Sequence, residues 1–537
     1  MGNPFPSLKK AWPLLMIPAL ALILYVIFSQ ARGPFYLPFN YDPDYAYLFN
    51  GLNLASGIGP EHIDHPGTPL QLFTAAAIRL VNIGSSNHAM ILTVLSHSES
   101  YLRGLNLAVM IGFLISLLLS GFFVWRKSGS MIAALFLQAT PFLLAQDFYE
   151  TVRFRPEALL LIMILALAAV LYIQVLRDEP ENWIAIGLLS FLAATMLVTK
   201  INSAPFVLLP LFSLRNWKTR AGYVVLLCLF AGLWLLPLIP HYHRFVTWVL
   251  GLVTHKERYG TGDPGWFPHN FASRLTFIIG QRPIFLLTVL LSVATVARGW
   301  IFLRGKMLPQ EARLTRLLAG LVFADILEYV MVGKFEQARY LVPAMTFCGL
   351  NWVILFALAQ HWKKEPIKSF ASRAIGIGAC IFVVSVSASV LRHRYEQMIE
   401  SRDTHTEMMQ VVEREYGDKI LVYYYGCSSL YHALWFGNAY TGRRYGHFIT
   451  DLFPNHSSAY MVEIFPDKNY WYSVAGPDIL LHERLDQGDT LYFVGREWIE
   501  GTEREVFNFL TNNVSIVKER AMGEEAVYRV KAFPAIR

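Results

Sequence analysis

The chain has 537 residues, of which 54% are hydrophobic and 16% charged, and its formal net charge is +7. A soluble domain usually has about 25% charged residues, so this composition excludes an ordinary soluble protein and predicts a chain embedded in lipid. It contains no Lys/Arg-rich run that would form a basic face, and no nucleic-acid partner is expected. The four cysteines form no CxxC or Cys/His pattern, so they predict no zinc site.

The first apolar run, from Trp12 to Phe28, follows the basic residues Lys9 and Lys10. A signal peptide would share this pattern, because Ser29-Gln30-Ala31 faintly resembles a cleavage site. We favour a retained first helix, since the run is as long as a membrane span requires and its centre is rich in Leu and Ile.

Further apolar runs predict about eleven transmembrane helices, because a span needs about 20 mainly apolar residues. The predicted spans cover residues 12–31, 103–125, 130–146, 157–176, 183–199, 203–214, 221–240, 284–303, 316–332, 341–360 and 374–391. The run at 203–214 is short, and its two prolines predict a bent helix within the bundle. The stretch from Pro69 to Val81 is too short to span and carries Arg79, which predicts an interfacial helix.

Lys and Arg residues predict the orientation, because the cytoplasmic loops of membrane proteins are enriched in them. One set of alternate loops is basic, at 125–127, 215–220, 304–316 and 361–373. These loops and the N-terminus are therefore expected in the cytoplasm. An odd number of spans then places residues 392–537 outside, in the periplasm of a bacterial inner membrane, although an endoplasmic-reticulum protein would have the same topology.

The sequence changes in character after the last predicted span. Charges and turn residues return, with short β-rich runs at 419–425, 490–494 and 527–530 and helical patterns at 404–416 and 503–512. Alternating strands and helices predict a compact α/β domain. We therefore expect a polytopic α-helical membrane domain over 1–391, including a first outer loop over 32–102, and an extracytoplasmic α/β domain over 392–537.

The first outer loop carries two acidic residues in the segment Tyr41-Asp42-Pro43-Asp44-Tyr45. Two carboxylates just outside the membrane could act as a general base or hold a divalent cation such as Mg²⁺ or Mn²⁺. The structural alternative is an Asx turn closed by Pro43 with Asp44 as a helix N-cap. Asp42 and Asp44 are thus candidate catalytic residues and the candidate ligands of any metal, and no other cofactor is expected.

Several cations lie in loops on the outer side, where positive residues are disfavoured. They are Arg153, Arg155, Lys200, Lys334 and Arg339. An anionic ligand at the membrane surface, such as a lipid phosphate, would explain them through charge-assisted contacts. The structural alternative is that they reach lipid headgroups or pair with Glu150, Glu157 and Glu336.

Two acidic residues fall inside the ninth predicted span. Asp325 and Glu328 are three residues apart and so lie on one face of a helix. Carboxylates within a membrane are costly and usually face the protein interior. We expect this pair to bind a neighbouring helix or to extend an outer cavity, but a proton-coupled transporter would also use such a pair.

These motifs, in this order, resemble the GT-C superfamily of lipid-linked glycosyltransferases. Acidic residues in a long first outer loop are followed by His65-Pro66 and an interfacial helix, then by an Arg-rich outer turn at 153–157, and finally by Arg339-Tyr340-Leu341-Val342-Pro343. The similarity covers about residues 1–360. It is greatest to the branch that contains protein O-mannosyltransferases and the lipid A aminoarabinose transferase.

The resemblance implies a specific activity. Such enzymes transfer a sugar from a polyprenyl-phosphate carrier outside the cytoplasmic membrane; a first-loop acid acts on the acceptor hydroxyl, and basic residues hold the carrier phosphate. Asp42 matches the family acid by its distance to Ala55-Ser56-Gly57, whereas Asp44 matches it by the following Tyr45-Ala46. The residues implied in substrate binding are His65, Arg153, Arg155, Glu157, Lys200, Lys334, Arg339 and Tyr340.

The expected function is therefore transfer of a sugar from a polyprenyl-phosphate donor to a glycan, lipid or protein acceptor, with membrane lipids around the bundle. Glu157 departs from the family pattern, because relatives often have Asp soon after the arginine of this turn. The main alternative is a transporter or flippase of a lipid-linked glycan, which should show related halves and broken helices at matching positions. The sequence shows no such internal repeat.

Overall fold

A computed structural model of the chain describes most of the sequence. The described residues are 11–38, 40–143, 148–179, 181–256, 262–302, 306–335, 337–362, 370–424, 426–453, 460–465, 470–475, 481–497 and 514–532. These residues form long helices and one mixed β-sheet, which confirms the predicted polytopic α-helical protein with a C-terminal α/β domain.

Helices occur at every predicted span. The α-helices are Met16–Arg32, Tyr41–Ala55, Thr68–Val81, Asn87–Ser96, Ser98–Ser128, Met131–Leu143, Pro156–Leu176, Trp183–Thr199, Leu209–Ser213, Trp217–Leu235, Tyr242–Thr254, Phe271–Gly280, Pro283–Phe302, Pro309–Val332, Val342–Trp362, Phe370–Tyr416, Leu430–Ala439, Gly446–Leu452 and Leu481–Asp486. Short 3-10 segments are Trp12–Leu15, Glu150–Val152, Ile201–Leu208, Leu236–His241 and Ala338–Leu341. The predicted short span at 203–214 corresponds to the 3-10 segment Ile201–Leu208 and the α-helix that follows it.

Among the described residues, six helical segments are long and apolar enough to cross a membrane. They are Trp12–Arg32, Ser98–Ser128, Pro156–Leu176, Trp217–Thr254, Pro283–Ile301 and Arg339–Trp362. Helix Pro309–Val332 is long enough, but its charged residues keep it out of this group. The chain is therefore a multi-pass membrane protein, while the count of eleven spans and the side on which each loop lies stay predictions.

Local sequence explains where several helices begin. The side chain of Asn182 accepts a hydrogen bond from the backbone N–H of Ala185 at 2.8 Å, and Asn216 accepts one from Lys218 at 3.0 Å. Both caps satisfy N–H groups that the first turn of a helix leaves without partners. Pro156 occupies the first position of its helix, where its fixed φ angle and missing N–H have no cost.

The chain divides into two compact units. The first contains residues 1–28, 63–70 and 106–393, and the second contains residues 29–62, 71–105 and 394–537. Helices Ser98–Ser128 and Phe370–Tyr416 contribute residues to both units. The predicted domain boundary at 391/392 therefore falls inside a continuous helix, and the predicted helical pattern at 404–416 is the end of that helix.

The described residues of the second unit form a six-stranded sheet. Its strands are β1 (Ile420–Tyr423), β2 (Tyr460–Phe465), β3 (Tyr470–Ala475), β4 (Thr490–Arg496), β5 (Val514–Met522) and β6 (Glu525–Ala532), in the order β3-β2-β1-β4-β6-β5. Strand β1 is parallel to β2 and β4, and the other pairs are antiparallel. Three of these strands, β1, β4 and β6, correspond to the predicted runs, whereas the predicted helix at 503–512 lies outside the described residues.

Candidate functional site

The Arg-rich turn that precedes helix Pro156–Leu176 is buried. A 3-10 turn covers Glu150–Val152, and the backbone is extended at Arg153 and Arg155 before the helix begins. The guanidinium of Arg155 donates a hydrogen bond to Glu150 Oε2 at 3.0 Å, and both side chains are buried. This ion pair fixes the turn at the positive end of the helix dipole.

Arg153 lies in the same turn and is 1% exposed. Asn106, on helix Ser98–Ser128, donates hydrogen bonds from Nδ2 to the carbonyls of Thr151 and Arg153, each at 3.0 Å. The Oδ1 atom of Asn106 in turn accepts a hydrogen bond from Tyr25 Oη at 2.8 Å. Two neighbouring helices therefore hold the backbone of the Arg-rich turn.

A second buried ion pair joins helix Pro156–Leu176 to the end of helix Trp183–Thr199. The ammonium of Lys200 is hydrogen-bonded to Glu157 Oε1, and both side chains are buried. The Lys200 ammonium also lies 4.4 Å from the centre of the Tyr340 ring, which is a cation–π geometry. A buried pair of this kind is costly to break, because the remaining charge would have no partner.

Arg339 differs from the other cations of this region. Its guanidinium carbon lies 5.3 Å from the centre of the Tyr340 ring, and its Nε atom is buried without a hydrogen-bond partner among the described residues. It interacts electrostatically with Arg155, Glu150 and Glu157. We call the group formed by Glu150, Arg155, Glu157, Lys200, Arg339 and Tyr340 the Tyr340 cluster.

His65 adjoins the Tyr340 cluster. Its backbone has a positive φ of 63°, and its ring centre lies 5.8 Å from that of Tyr340 and 5.6 Å from that of Trp248. The following residues are anchored by a hydrogen bond from the Gly67 N–H to the carbonyl of Val198 at 3.0 Å. The structure thus brings together seven of the residues named above, namely His65 and the six members of the cluster.

Two polar residues support the cluster and had not been singled out for this role. Asn202 donates a hydrogen bond from Nδ2 to the carbonyl of Tyr340 at 2.5 Å. Glu328 accepts one from the backbone N–H of Ala344 at 2.8 Å and caps the helix that follows Tyr340. Asn202 lies two residues after Lys200, and this proximity in the sequence was a signal for its role. Its contact with Tyr340 could not be read from the sequence, because it joins residues 138 apart in the chain.

Lys334 makes a different set of contacts. Its ammonium donates hydrogen bonds to the carbonyls of Leu252 at 2.6 Å and Val253 at 3.0 Å. These carbonyls belong to the last turn of helix Tyr242–Thr254, where a cation stabilises the helix. Its role in substrate binding stays a prediction.

Asp42 and Asp44 lie in the first turn of helix Tyr41–Ala55, which belongs to the second unit. Their surroundings differ: the side chain of Asp42 is exposed, whereas Asp44 is fully buried. The described residues include no group of three or more His, Cys, Asp or Glu side chains that could hold a metal ion. A divalent cation with Asp42 and Asp44 as its ligands stays a prediction, and the chemistry below is derived without a metal.

Glu99 anchors the segment that leads into this helix. Its carboxylate accepts hydrogen bonds from the backbone N–H groups of Phe35 and Tyr36 at 2.9 and 3.0 Å and from Tyr45 Oη at 2.9 Å. Burial, followed by the charge of Glu99, raises the pKa of Tyr45 well above its usual value. Tyr45 therefore remains a neutral hydrogen-bond donor beside the two aspartates.

A separate polar group, which we call the Asp325 cluster, lies between three helices of the first unit. Asp325 Oδ2 accepts a hydrogen bond from Asn351 Nδ2 at 3.1 Å, and the same amide nitrogen lies 3.4 Å from Ser292 Oγ. The Oδ1 atoms of Asp325 and Asn351 are both buried without a hydrogen-bond partner among the described residues. This group is fully buried and contains no cation.

No protein-family model and no curated protein sequence matches the chain. Among solved structures, it is similar to ArnT from Cupriavidus metallidurans bound to undecaprenyl phosphate, with a TM-score of 0.49 and 13% identity over 96% of this chain and 97% of that one. ArnT is the lipid A aminoarabinose transferase of the GT-C family. This likeness concerns the path of the chain and gives no information on its sugar, acceptor or catalytic residues.

Proposed function

We propose that this chain is a membrane glycosyltransferase that transfers a sugar from a polyprenyl-phosphate donor to a hydroxyl group of a glycan, lipid or protein acceptor on the extracytoplasmic side of the inner membrane. The observation that carries the proposal is the Tyr340 cluster. It combines buried cations, a helix N-terminus and one guanidinium whose Nε has no partner among the described residues.

The charge of the Tyr340 cluster suits a phosphodiester. Its cations are Arg155, Lys200 and Arg339 and its carboxylates are Glu150 and Glu157, so three positive charges less two negative ones leave one. A sugar linked to a polyprenyl phosphate is a phosphodiester with one negative charge. Arg155 and Lys200 already pair with carboxylates, which leaves Arg339 as the guanidinium for the phosphate oxygens.

Aspartate in the first outer loop supplies the base in this proposal. The carboxylate takes the proton of the acceptor hydroxyl, the acceptor oxygen forms a bond to the anomeric carbon, and the bond from that carbon to the phosphate oxygen breaks. Direct displacement inverts the anomeric centre, and the carrier phosphate leaves with one more negative charge. Asp42 is favoured as the base because its side chain is exposed, whereas Asp44 is buried.

Cations lower the barrier of this reaction when their attraction to the leaving phosphate increases as that phosphate gains negative charge. Arg339 and Lys200 would stabilise the departing phosphate, and Tyr340 and His65 would enclose it. The lipid tail explains why the site belongs to a membrane protein, since a polyprenyl chain needs an apolar surface.

The test is sugar release from radiolabelled polyprenyl-phosphate sugars by membranes that contain the protein. Wild type should transfer label, Asp42→Asn should not, and Asp44→Asn should show which carboxylate acts. Full activity of both single variants would contradict the assignment of the base. Absence of transfer, together with movement of lipid-linked sugar across vesicle membranes, would establish the alternative, a transporter or flippase, which the buried Asp325 cluster favours.

A further inference from the structure

The α/β portion of the second unit makes a close contact with the helix that carries Asp42 and Asp44. Helix Leu430–Ala439 packs against helix Tyr41–Ala55. A Cβ atom added at Gly437 would lie 2.7 Å from Cδ2 of Phe49, a distance that real Cβ atoms do not show. Phe49 itself is fully buried, so its ring cannot move outward into solvent.

The contact continues to the end of the helix where the two aspartates lie. The ring of Tyr41 is in edge contact with the rings of His432, at 5.0 Å, and Phe436, at 4.8 Å. Tyr41 Oη accepts a hydrogen bond from the backbone N–H of Gly426 at 2.8 Å. Tyr41 directly precedes Asp42, so these contacts fix the backbone from which the Asp42 side chain extends.

Hydrogen bonds hold the other half of the same helix. Asn50 donates from Nδ2 to the carbonyl of Tyr440 at 3.1 Å, and its Oδ1 accepts from the backbone N–H groups of Glu61 and His62 at 2.8 and 3.0 Å. Tyr445 Oη donates to Asn53 Oδ1 at 2.7 Å. One Asn side chain therefore joins three segments: the acid-bearing helix, the loop that follows it and the C-terminal part of the chain.

We propose that helix Leu430–Ala439 and the residues up to Tyr445 are a positioning platform, whose role is to fix helix Tyr41–Ala55 and with it the first-loop carboxylates. This inference rests on the proposed function for its catalytic meaning, but the positioning itself does not require the chain to be an enzyme. Gly437, Phe49 and Asn50 are positioning residues, because they act through the helix that carries Asp42 and Asp44.

Gly437→Leu tests the platform in the full-length protein. The new side chain collides with Phe49, so we expect faster hydrogen–deuterium exchange of the amides in helix Tyr41–Ala55. In the transfer assay, kcat should fall by about 100-fold with little change in the KM for the donor, because a shift of about 1 Å in a catalytic group has effects of that size. The control is Gly104→Leu, in the same unit, since no atom lies within 4 Å of a Cβ at that position.

A second substitution distinguishes displacement of helix Tyr41–Ala55 from general misfolding of the protein. Phe49→Ala removes the ring that the introduced leucine side chain would meet, so the double variant Phe49→Ala/Gly437→Leu should recover slow exchange and most of the kcat. Two results would overturn the inference. One is an exchange rate that is unchanged in Gly437→Leu, and the other is a double variant in which Phe49→Ala restores neither slow exchange nor kcat. Wild-type protein that transfers no sugar would instead refute the proposed reaction, and the exchange data would still decide the positioning.

Discussion

The Tyr340 cluster and the Asp325 cluster lie in the same helical unit, and their buried groups are compensated in different ways. In the Tyr340 cluster, Arg155 is paired with Glu150 and Lys200 with Glu157, so the charges remain and neutralise one another. In the Asp325 cluster, the carboxyl group accepts a hydrogen bond from the amide of Asn351, which also lies close to the hydroxyl of Ser292, and the cluster contains no cation among the described residues. Burying an uncompensated charge is far more costly than burying a neutral polar group.

The difference indicates that the two clusters bind different species. The Tyr340 cluster keeps one positive charge in excess and offers donors to an anion. The Asp325 cluster has two acceptor atoms, Asp325 Oδ1 and Asn351 Oδ1, without donors among the described residues, and a proton on the carboxyl group would both remove the charge and supply a donor. Substitutions that remove one partner of a buried pair should therefore have large effects on stability or donor binding in the Tyr340 cluster and small effects in the Asp325 cluster.

The largest effect is expected for Lys200→Met. It leaves Glu157 buried without its ammonium partner, and breaking a buried pair costs about 3–5 kcal/mol of unfolding free energy. Thermal unfolding of the protein in nanodiscs measures this loss. The double variant Lys200→Met/Glu157→Leu should regain most of the stability but not sugar transfer; a stable single variant would show that the pair is not a buried charge pair.

Arg339→Gln should affect binding more than stability. Its Nε has no hydrogen-bond partner among the described residues, so its removal loses the contact with the Tyr340 ring and the attraction to Glu150 and Glu157 but no hydrogen bond of that atom. Loss of a charge-assisted bond to phosphate, in contrast, costs about 1.5–3 kcal/mol. We expect the KM for the donor to rise by roughly 10- to 100-fold, since about 1.4 kcal/mol corresponds to tenfold. An unfolding midpoint that falls as far as in Lys200→Met would mean that Arg339 is a structural cation.

The sequence predicted the helices, the α/β domain and the residues that form the Tyr340 cluster, because these depend on local apolar runs and on charges in loops that are predicted to lie on a disfavoured side. It left open which cations of that cluster pair with a carboxylate and which are available to a ligand. Lys200 and Arg339 look alike in the sequence, yet one is paired and the other has an unpartnered Nε among the described residues, since this depends on contacts across the bundle. The packing of Gly437 on Phe49 could not be predicted either, because nearly 390 residues separate the two.

His432 extends the comparison to the second unit, where it is a buried ionisable group. Both of its ring nitrogens are buried without a hydrogen-bond partner among the described residues, and burial lowers its pKa to about 3. The folded state therefore binds no proton at His432 between about pH 6.5, the usual value for His, and pH 3, whereas the unfolded state does. Stability is lost as the pH falls through this range, by about 1.4 kcal/mol for each unit below pH 6.5.

His432→Phe should remove this acid sensitivity, because Phe keeps the ring that contacts Tyr41 and cannot bind a proton. The measurement is the difference in unfolding free energy between pH 7.5 and pH 5.5 for wild type and variant. We expect the difference to be smaller by about 1.4 kcal/mol in the variant. The same pH dependence in both proteins would show that His432 is protonated in the folded state.

The smallest effect is expected for Asp325→Asn, and it most directly tests the contrast between the two clusters. If Asp325 carries a proton, an amide of the same shape replaces a neutral group and keeps a hydrogen-bond donor at this position. The free energy of unfolding should then change by less than about 1 kcal/mol, as replacement of a compensated neutral group allows. Infrared spectra give an independent readout: the C=O stretch of a protonated carboxyl group should be present in wild type, shift in D₂O and disappear in Asp325→Asn. A loss of stability as large as in Lys200→Met, without that band in wild type, would mean that Asp325 is ionised. A cation would then have to neutralise it, and the two clusters would be compensated in the same way.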